Sequence, residues 1–171
     1  MIEYEKTFLV RVLPENLESS ESKELLDIYF PQEKPHPSLR LRKNGEKYEM
    51  TKKLHLKDED RGVQEEKTIH LDQDEFGALS SVPGKRVRKI RHSYPYQGNM
   101  AEIDVFQDEL RGLVLADFEF ETEEEKNEFP IPDFCLVDVT QEQFVAGGML
   151  CGKSYADIED DLKKYGYQRI V

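Results

Sequence analysis

Apolar and polar positions alternate with period two along much of this chain, the mark of β-strands with one face buried. Ile2-Glu3-Tyr4-Glu5-Lys6-Thr7-Phe8-Leu9-Val10 puts Glu3 and Glu5 on one face, with Ile2, Tyr4, Phe8 and Val10 on the other. Within Leu13–Phe30, the stretch Glu21-Ser22-Lys23-Glu24-Leu25-Leu26 predicts a short helix, and Leu26–Phe30 an extended segment. Three prolines in Pro31–Pro37 require a loop. Beyond it Leu39 and Leu41 face one way, Arg40 and Arg42 the other, and Asn44-Gly45 marks a hairpin turn. The returning strand, Lys47–Leu54, shows Glu49, Thr51 and Lys53 on one side.

Residues 55–63 read as a charged, mobile connection to a strand at Glu65–Leu71, whose polar face carries Glu66, Thr68 and His70. Asp72 with Glu75 predicts a capped helix through Leu79, ended by Pro83-Gly84. The most basic stretch, Lys85–Ser93, sets Lys89 and Arg91 against Ile90, and Tyr94–Asn99 reads as a turn. Glu102 and Asp104 then alternate with Ile103 and Val105, and Asp117 and Glu119 with Ala116, Phe118 and Phe120 in Leu113–Glu121. Thr122 with Glu125 predicts a helix ending before Pro130, Val137–Val139 a short strand, and Thr140-Gln141-Glu142-Gln143 another capping box. Ser154 is placed to cap a helix from Tyr155 to about Lys164, with Gly166 beyond its end.

Seven or eight hairpin-linked strands with a few short helices predict an antiparallel α+β domain, a single unit over residues 1–171. Composition narrows the functions open to it. A net charge of −12 argues against a nucleic-acid binder but leaves room for a phosphorylated ligand in a locally basic pocket. The apolar runs are too short to span a membrane, and there is no signal-peptide pattern. Cys135 and Cys151 lack metal or redox spacing, which fits two free thiols in a reducing cytoplasm, and four scattered histidines argue against a zinc site.

Charge placement raises a sharper question. The polar faces collect carboxylates at Glu3, Glu5, Glu66, Glu102, Asp104, Asp117 and Glu119. They also collect cations at Arg40, Arg42, Lys53, Lys89 and Arg91. On an open antiparallel sheet this is an ordinary solvated face with cross-strand ion pairs. In a closed barrel of about eight strands the same residues point into a lumen that needs water, a metal ion or an anionic ligand. Spaced cations suit phosphate oxygens, and clustered carboxylates suit Mg²⁺ or Mn²⁺.

The ordered set Glu3-x-Glu5, Leu39-Arg40-Leu41-Arg42, Thr51-x-Lys53, Lys89-Ile90-Arg91, Glu102-Ile103-Asp104, Asp117-Phe118-Glu119 and Val139-Thr140 resembles the CYTH family, the triphosphate tunnel metalloenzymes. The resemblance implies a closed antiparallel β-barrel whose polar faces line a tunnel. It implies a triphosphate held by Arg40, Arg42, Lys53, Lys89 and Arg91, and metal held by Glu3, Glu5, Glu66, Asp104, Asp117 and Glu119. Glu5, Lys89 and Tyr29 are the implied catalytic residues. The implied activity is hydrolysis of a triphosphate phosphoanhydride with Mg²⁺ or Mn²⁺, most simply of inorganic tripolyphosphate, by a cytoplasmic monomer or homodimer. Thiamine triphosphatase and adenylyl cyclase occur on the same scaffold, and a degenerate member would bind phosphorylated ligands without turnover.

Two features depart from simple expectation. The family's opening motif is Glu-x-Glu-x-Lys, whereas this chain reads Glu3-x-Glu5-Lys6-Thr7, which leaves Thr7 on the face of the glutamates and Lys6 opposite. Gly147 through Ser154 also matches the P-loop pattern letter for letter. That motif needs a buried strand before it and a long helix after it, and only 17 residues follow Ser154. It reads as a glycine junction between two short helices.

Overall fold

The computed structural model describes residues 2–171. The first strands in chain order are β1 (Ile2–Val10), β2 (Glu21–Phe30), β3 (Leu39–Asn44) and β4 (Lys47–Lys57). β5 (Asp60–Leu71), β6 (Lys85–Tyr96), β7 (Asn99–Phe106) and β8 (Val114–Phe120) follow. They pair antiparallel in the ring order β1-β5-β4-β3-β2-β6-β7-β8 and back to β1, a closed eight-stranded barrel. Closure removes the free edges an open sheet would expose. β1 makes the seam. Ile2–Tyr4 face Glu65–Val63 of β5, and Tyr4–Leu9 face Phe120–Leu115 of β8. A ninth short strand, β9 (Cys135–Asp138), pairs with the second half of β1.

Four short helices decorate the barrel: α1 (Gln73–Ser80), α2 (Glu123–Glu128), α3 (Gly147–Leu150) and α4 (Tyr155–Lys163). α1 and α2 begin at the expected capping boxes on Asp72 and Thr122. α4 begins at Ser154, whose backbone N–H donates to Asp157 Oδ2 at 2.7 Å.

The alternation along the strands sorts the apolar residues into two cores. On the outward side of β1, β7 and β8, Phe8, Val10, Ile103, Ala116 and Phe118 are covered by Phe129, Phe134 and Cys135. The second core closes one end of the barrel. Leu9, Val87, Phe106 and Leu115 continue the inward faces of their strands and meet Val139, Val145, Leu150, Ile158 and Leu162 from the C-terminal segment. The interior is thus polar along the barrel and sealed with apolar side chains at that end.

Several local expectations are corrected. Glu21–Leu26 is strand, not helix, because β6 pairs along all of it and β3 joins from Leu25, which faces Asn44 of β3 and Lys89 of β6. Two ladders outweigh a weak helical preference. Residues 55–63 are no loose connection, since β4 runs to Lys57 and β5 starts at Asp60, leaving a tight hairpin at 58–59. β6 continues through Tyr96, and the turn shrinks to Gln97-Gly98, both with positive φ. Thr140 opens no helix. Its hydroxyl accepts from the Thr7 N–H at 3.0 Å and donates to Asp138 Oδ1 at 2.5 Å, and only a 3-10 turn at Gln143–Val145 follows.

At the seam, Gly62 lets β5 approach β1 closely, since a Cβ there would lie 2.5 Å from the Glu5 carbonyl oxygen and 2.9 Å from Thr140 Cγ2. Gly62→Ala is therefore expected to cost about 1–3 kcal/mol of stability by overpacking, read from the urea midpoint. An unchanged midpoint would show that the seam relaxes freely.

Candidate active site

Strand parity and closure bring all the charged side chains selected from the sequence to one cavity of about 430 Å³. Glu3, Glu5, Arg40, Arg42, Lys53 and Glu66 line it, as do Lys89, Arg91, Glu102, Asp104, Asp117 and Glu119. Tyr29 is there too, with its hydroxyl packed against Gly147. The volume is that of a small-molecule site.

Most of the charges are neutralised within the barrel. Lys53 Nζ gathers three carboxylates, Glu3 at 3.0 Å, Glu66 at 3.3 Å and Glu5 at 3.7 Å. Arg91 makes a fork on Asp104, with Nε to Oδ1 at 2.7 Å and Nη2 to Oδ2 at 2.8 Å, and reaches Glu102 and, at 3.6 Å, Asp117. Lys89 pairs with the same Asp104. Arg42 is held bidentate by Asp27 at 2.6 and 2.7 Å, both residues buried. Arg40 is different. It enters no ion pair among the described residues, and its buried Nε has no hydrogen-bond partner.

These pairings set the protonation states. Against the cost of burial, Arg42 holds Asp27, and Arg91 with Lys89 holds Asp104, far below the usual carboxylate range. The opposite wall carries surplus negative charge. Burial, then the nearby Asp104 and Glu5, push Asp117 up to about 7. Burial, then Glu102 and Glu3, raise Glu119, and burial raises Glu3 despite Lys53.

That surplus is the test for a metal. Among the described residues no three His, Cys, Asp or Glu side chains stand ready-assembled around a metal position. The donors nevertheless fit a hard divalent cation: they are all carboxylate oxygens on one wall, and burial together with the neighbouring carboxylates already raises Asp117 and Glu119.

The departure at the start of β1 has a physical consequence. Lys6 is outside the tunnel, donating to the Phe129 carbonyl at 3.0 Å and lying 3.5 Å from Asp138. Thr7 faces inward and donates its hydroxyl proton to Asp117 Oδ1 at 2.7 Å. The P-loop match dissolves in the same way. Gly147–Leu150 is the single turn α3, Gly147 and Gly148 flank the tunnel, and Lys153 does not line it.

Sequence reasoning missed two groups at this site. Asp27 interrupts the apolar run Leu25-Leu26-Asp27-Ile28, and a lone acid there was a readable sign of a buried counter-charge. Gln64, which donates to Glu5 Oε1, carried no such sign.

A closed eight-stranded antiparallel barrel with a charge-lined interior defines a tunnel protein built to hold a small polyanion. The profile of the CYTH domain matches residues 1–133, and the chain belongs to the CYTH family. An inorganic triphosphatase of Nitrosomonas europaea is 32% identical over 145 residues, covering 84% of this chain and 92% of that protein. The crystal structure of an inorganic triphosphatase matches at a TM-score of 0.63 and 29% identity, covering 87% of this chain and 93% of that one. A protein of Pyrococcus horikoshii, 18% identical, shares the fold at a TM-score of 0.52 over 97% of this chain and 91% of its own. Triphosphate tunnel enzymes of this family are generally divalent-metal dependent. No helix among the described residues is long and apolar enough to cross a membrane.

The Asp27–Arg42 pair yields a direct prediction. Asp27→Ala leaves a buried guanidinium without its counter-charge and is expected to cost about 3–5 kcal/mol at neutral pH. Because folding depresses the Asp27 pKa, the pair's contribution is fully present above the unfolded value of about 4 and fades only as pH falls through the folded one. Urea unfolding of both proteins at pH 7 measures this, and equal midpoints would refute it.

Proposed function

We propose that this protein hydrolyses the terminal phosphoanhydride of a triphosphate, with inorganic tripolyphosphate as substrate and Mg²⁺ or Mn²⁺ as cofactor. The observation that carries the reading is Arg40, a guanidinium without an ion pair among the described residues, beside Arg42, Lys53, Lys89 and Arg91, which carboxylates already neutralise. A polyanion has a first anchor there without breaking any existing pair. The likeness to an inorganic triphosphatase over most of both chains supports the same reading.

Arg40 and Lys53 take one end of the triphosphate, and Lys89 and Arg91 the other, as phosphoryl oxygens replace carboxylates in their pairs. Guanidinium forks suit the paired oxygens of a phosphoryl group. Arg42, locked by Asp27, contributes fixed positive charge. Bound metal supplies Lewis-acid neutralisation of the phosphoanhydride oxygens, and Glu3, Glu5, Glu66, Asp104, Asp117 and Glu119 are the residues to hold it. Glu5 has Oε1 occupied by Gln64, so Oε2, 3.7 Å from Lys53 Nζ and released as Lys53 turns to the triphosphate, is the atom that orients the attacking water and takes its proton. Lys89, beside Asp104 and 5.5 Å from the Phe106 ring centroid, stabilises charge on the transferring phosphoryl group. The Tyr29 hydroxyl, on the cavity wall beside Gly147, donates to a phosphoryl oxygen.

One observation favours a second reading, a binder of phosphorylated ligands without turnover. Thr7 occupies the inward position of the family lysine, so the tunnel has one cation fewer.

Phosphate release from tripolyphosphate, nucleoside triphosphates and thiamine triphosphate separates the readings. The expected result is release from tripolyphosphate above the others, dependent on Mg²⁺ or Mn²⁺ and abolished by a chelator. Tight binding with no turnover would select the binder, and cyclic AMP formed from ATP a cyclase. Arg40→Ala is expected to lower kcat/KM for tripolyphosphate about 10–100-fold, the worth of a charged hydrogen bond. Its thermal midpoint should change little, because no protein ion pair is lost. Wild-type kcat/KM would remove Arg40 from the site.

A further inference from the structure

The tunnel carries a second unpartnered guanidinium that the proposed triphosphate site does not use. Arg61, at the start of β5, lines the cavity and buries Nη2 with no hydrogen-bond partner. No carboxylate pairs with it among the described residues. The acid beside it, Asp60, is committed to Lys126, to the Gly62 N–H at 2.9 Å and to Gln141 at 2.9 Å. The Arg61 backbone is itself anchored by Gln141, whose Oε1 accepts from its N–H at 2.9 Å.

Two imidazoles share this corner. His55 lies two residues beyond Lys53 on the inward face of β4, about 6.6 Å along the strand at strand rise. His36, from the proline loop, is tied to Gln143 at 3.0 Å and lies against Gly148. Burial and then the Arg61 charge lower the pKa of both, so at neutral pH each offers a ring N–H without repelling the guanidinium. The corner is contiguous with the main cavity and opens to solvent past the exposed His55. It offers cationic and N–H donors in the same cavity as Arg40 and Lys53, with His55 next to Lys53 on the inward face of β4.

We infer that Arg61, His55 and His36 form an additional anion subsite that takes the phosphoryl groups of a linear inorganic chain longer than triphosphate. The inference rests on the hydrolase reading for the placement of the first three phosphoryl groups. Arg61 is then a chain-length determinant, gripping a fourth phosphoryl group at the edge of the tunnel.

Binding of inorganic tripolyphosphate and tetrapolyphosphate to the full chain, measured by calorimetry without metal, tests the subsite independently of turnover. The wild type is expected to bind tetrapolyphosphate more tightly than tripolyphosphate. Arg61→Gln is expected to lose about tenfold more affinity for the longer chain than for the shorter, the scale of one charged hydrogen bond. Arg61→Lys, which keeps the charge, should recover part of that preference, with the thermal midpoint of each variant confirming folding. Equal losses for both chain lengths, or no loss for either, would overturn the subsite. If the wild type releases no phosphate from tripolyphosphate but the chain-length preference persists and falls in Arg61→Gln, the hydrolase reading fails and the subsite stands.

Discussion

A charge turned into a closed barrel must find a counter-charge within reach, because an isolated buried ion costs more than folding can supply. This constraint governs the molecule. Closure through β1 turns seven carboxylates and five cations, all on polar strand faces, toward one space, and the barrel balances them in local groups. Lys53 is shared by Glu3, Glu5 and Glu66, Asp104 by Lys89 and Arg91, and Arg42 belongs to Asp27. These groups are at once what lets a polar interior fold and what a polyanion must rearrange.

The balance is uneven. Negative charge accumulates along β1 and β8, where Asp117 is pushed up to about 7 and Glu119 is raised as well. Positive charge is left over at Arg40 and Arg61. On the proposed reading, a triphosphate with a divalent cation supplies the two complements in one ligand: phosphoryl oxygens for the guanidiniums and metal for the carboxylates. The apolar plug of Val139, Val145 and Leu150 closes one end of the barrel, so the ligand meets a defined wall and not an open pore.

Much of this was legible in the chain because strand parity is a strict rule. Once Glu3 and Glu5 share a face, residues at the same parity on each partner strand must share it too, and closure makes those faces converge. What was not legible depended on contacts distant in sequence. Glu21–Leu26 has the local composition of a helix and becomes a strand only through β3 and β6. The charged stretch at 55–63 looked like a loop because neither face is apolar, and it is ordered by pairing across the β4–β5 hairpin and at the seam with β1. Arg61, His36 and His55 come from separate segments with no shared motif, so only the folded chain brings them together. Parity did read Lys6 and Thr7 correctly, one outside with Asp138 and one inside on Asp117.

The central claim is that the tunnel positions a triphosphate for attack at its terminal phosphoryl group. Phosphorus NMR of tripolyphosphate incubated with the protein and Mg²⁺ reads this most directly. The account predicts orthophosphate and pyrophosphate appearing in equal amounts, with no reaction once the metal is chelated. Tripolyphosphate that stays bound and intact with metal present would contradict it.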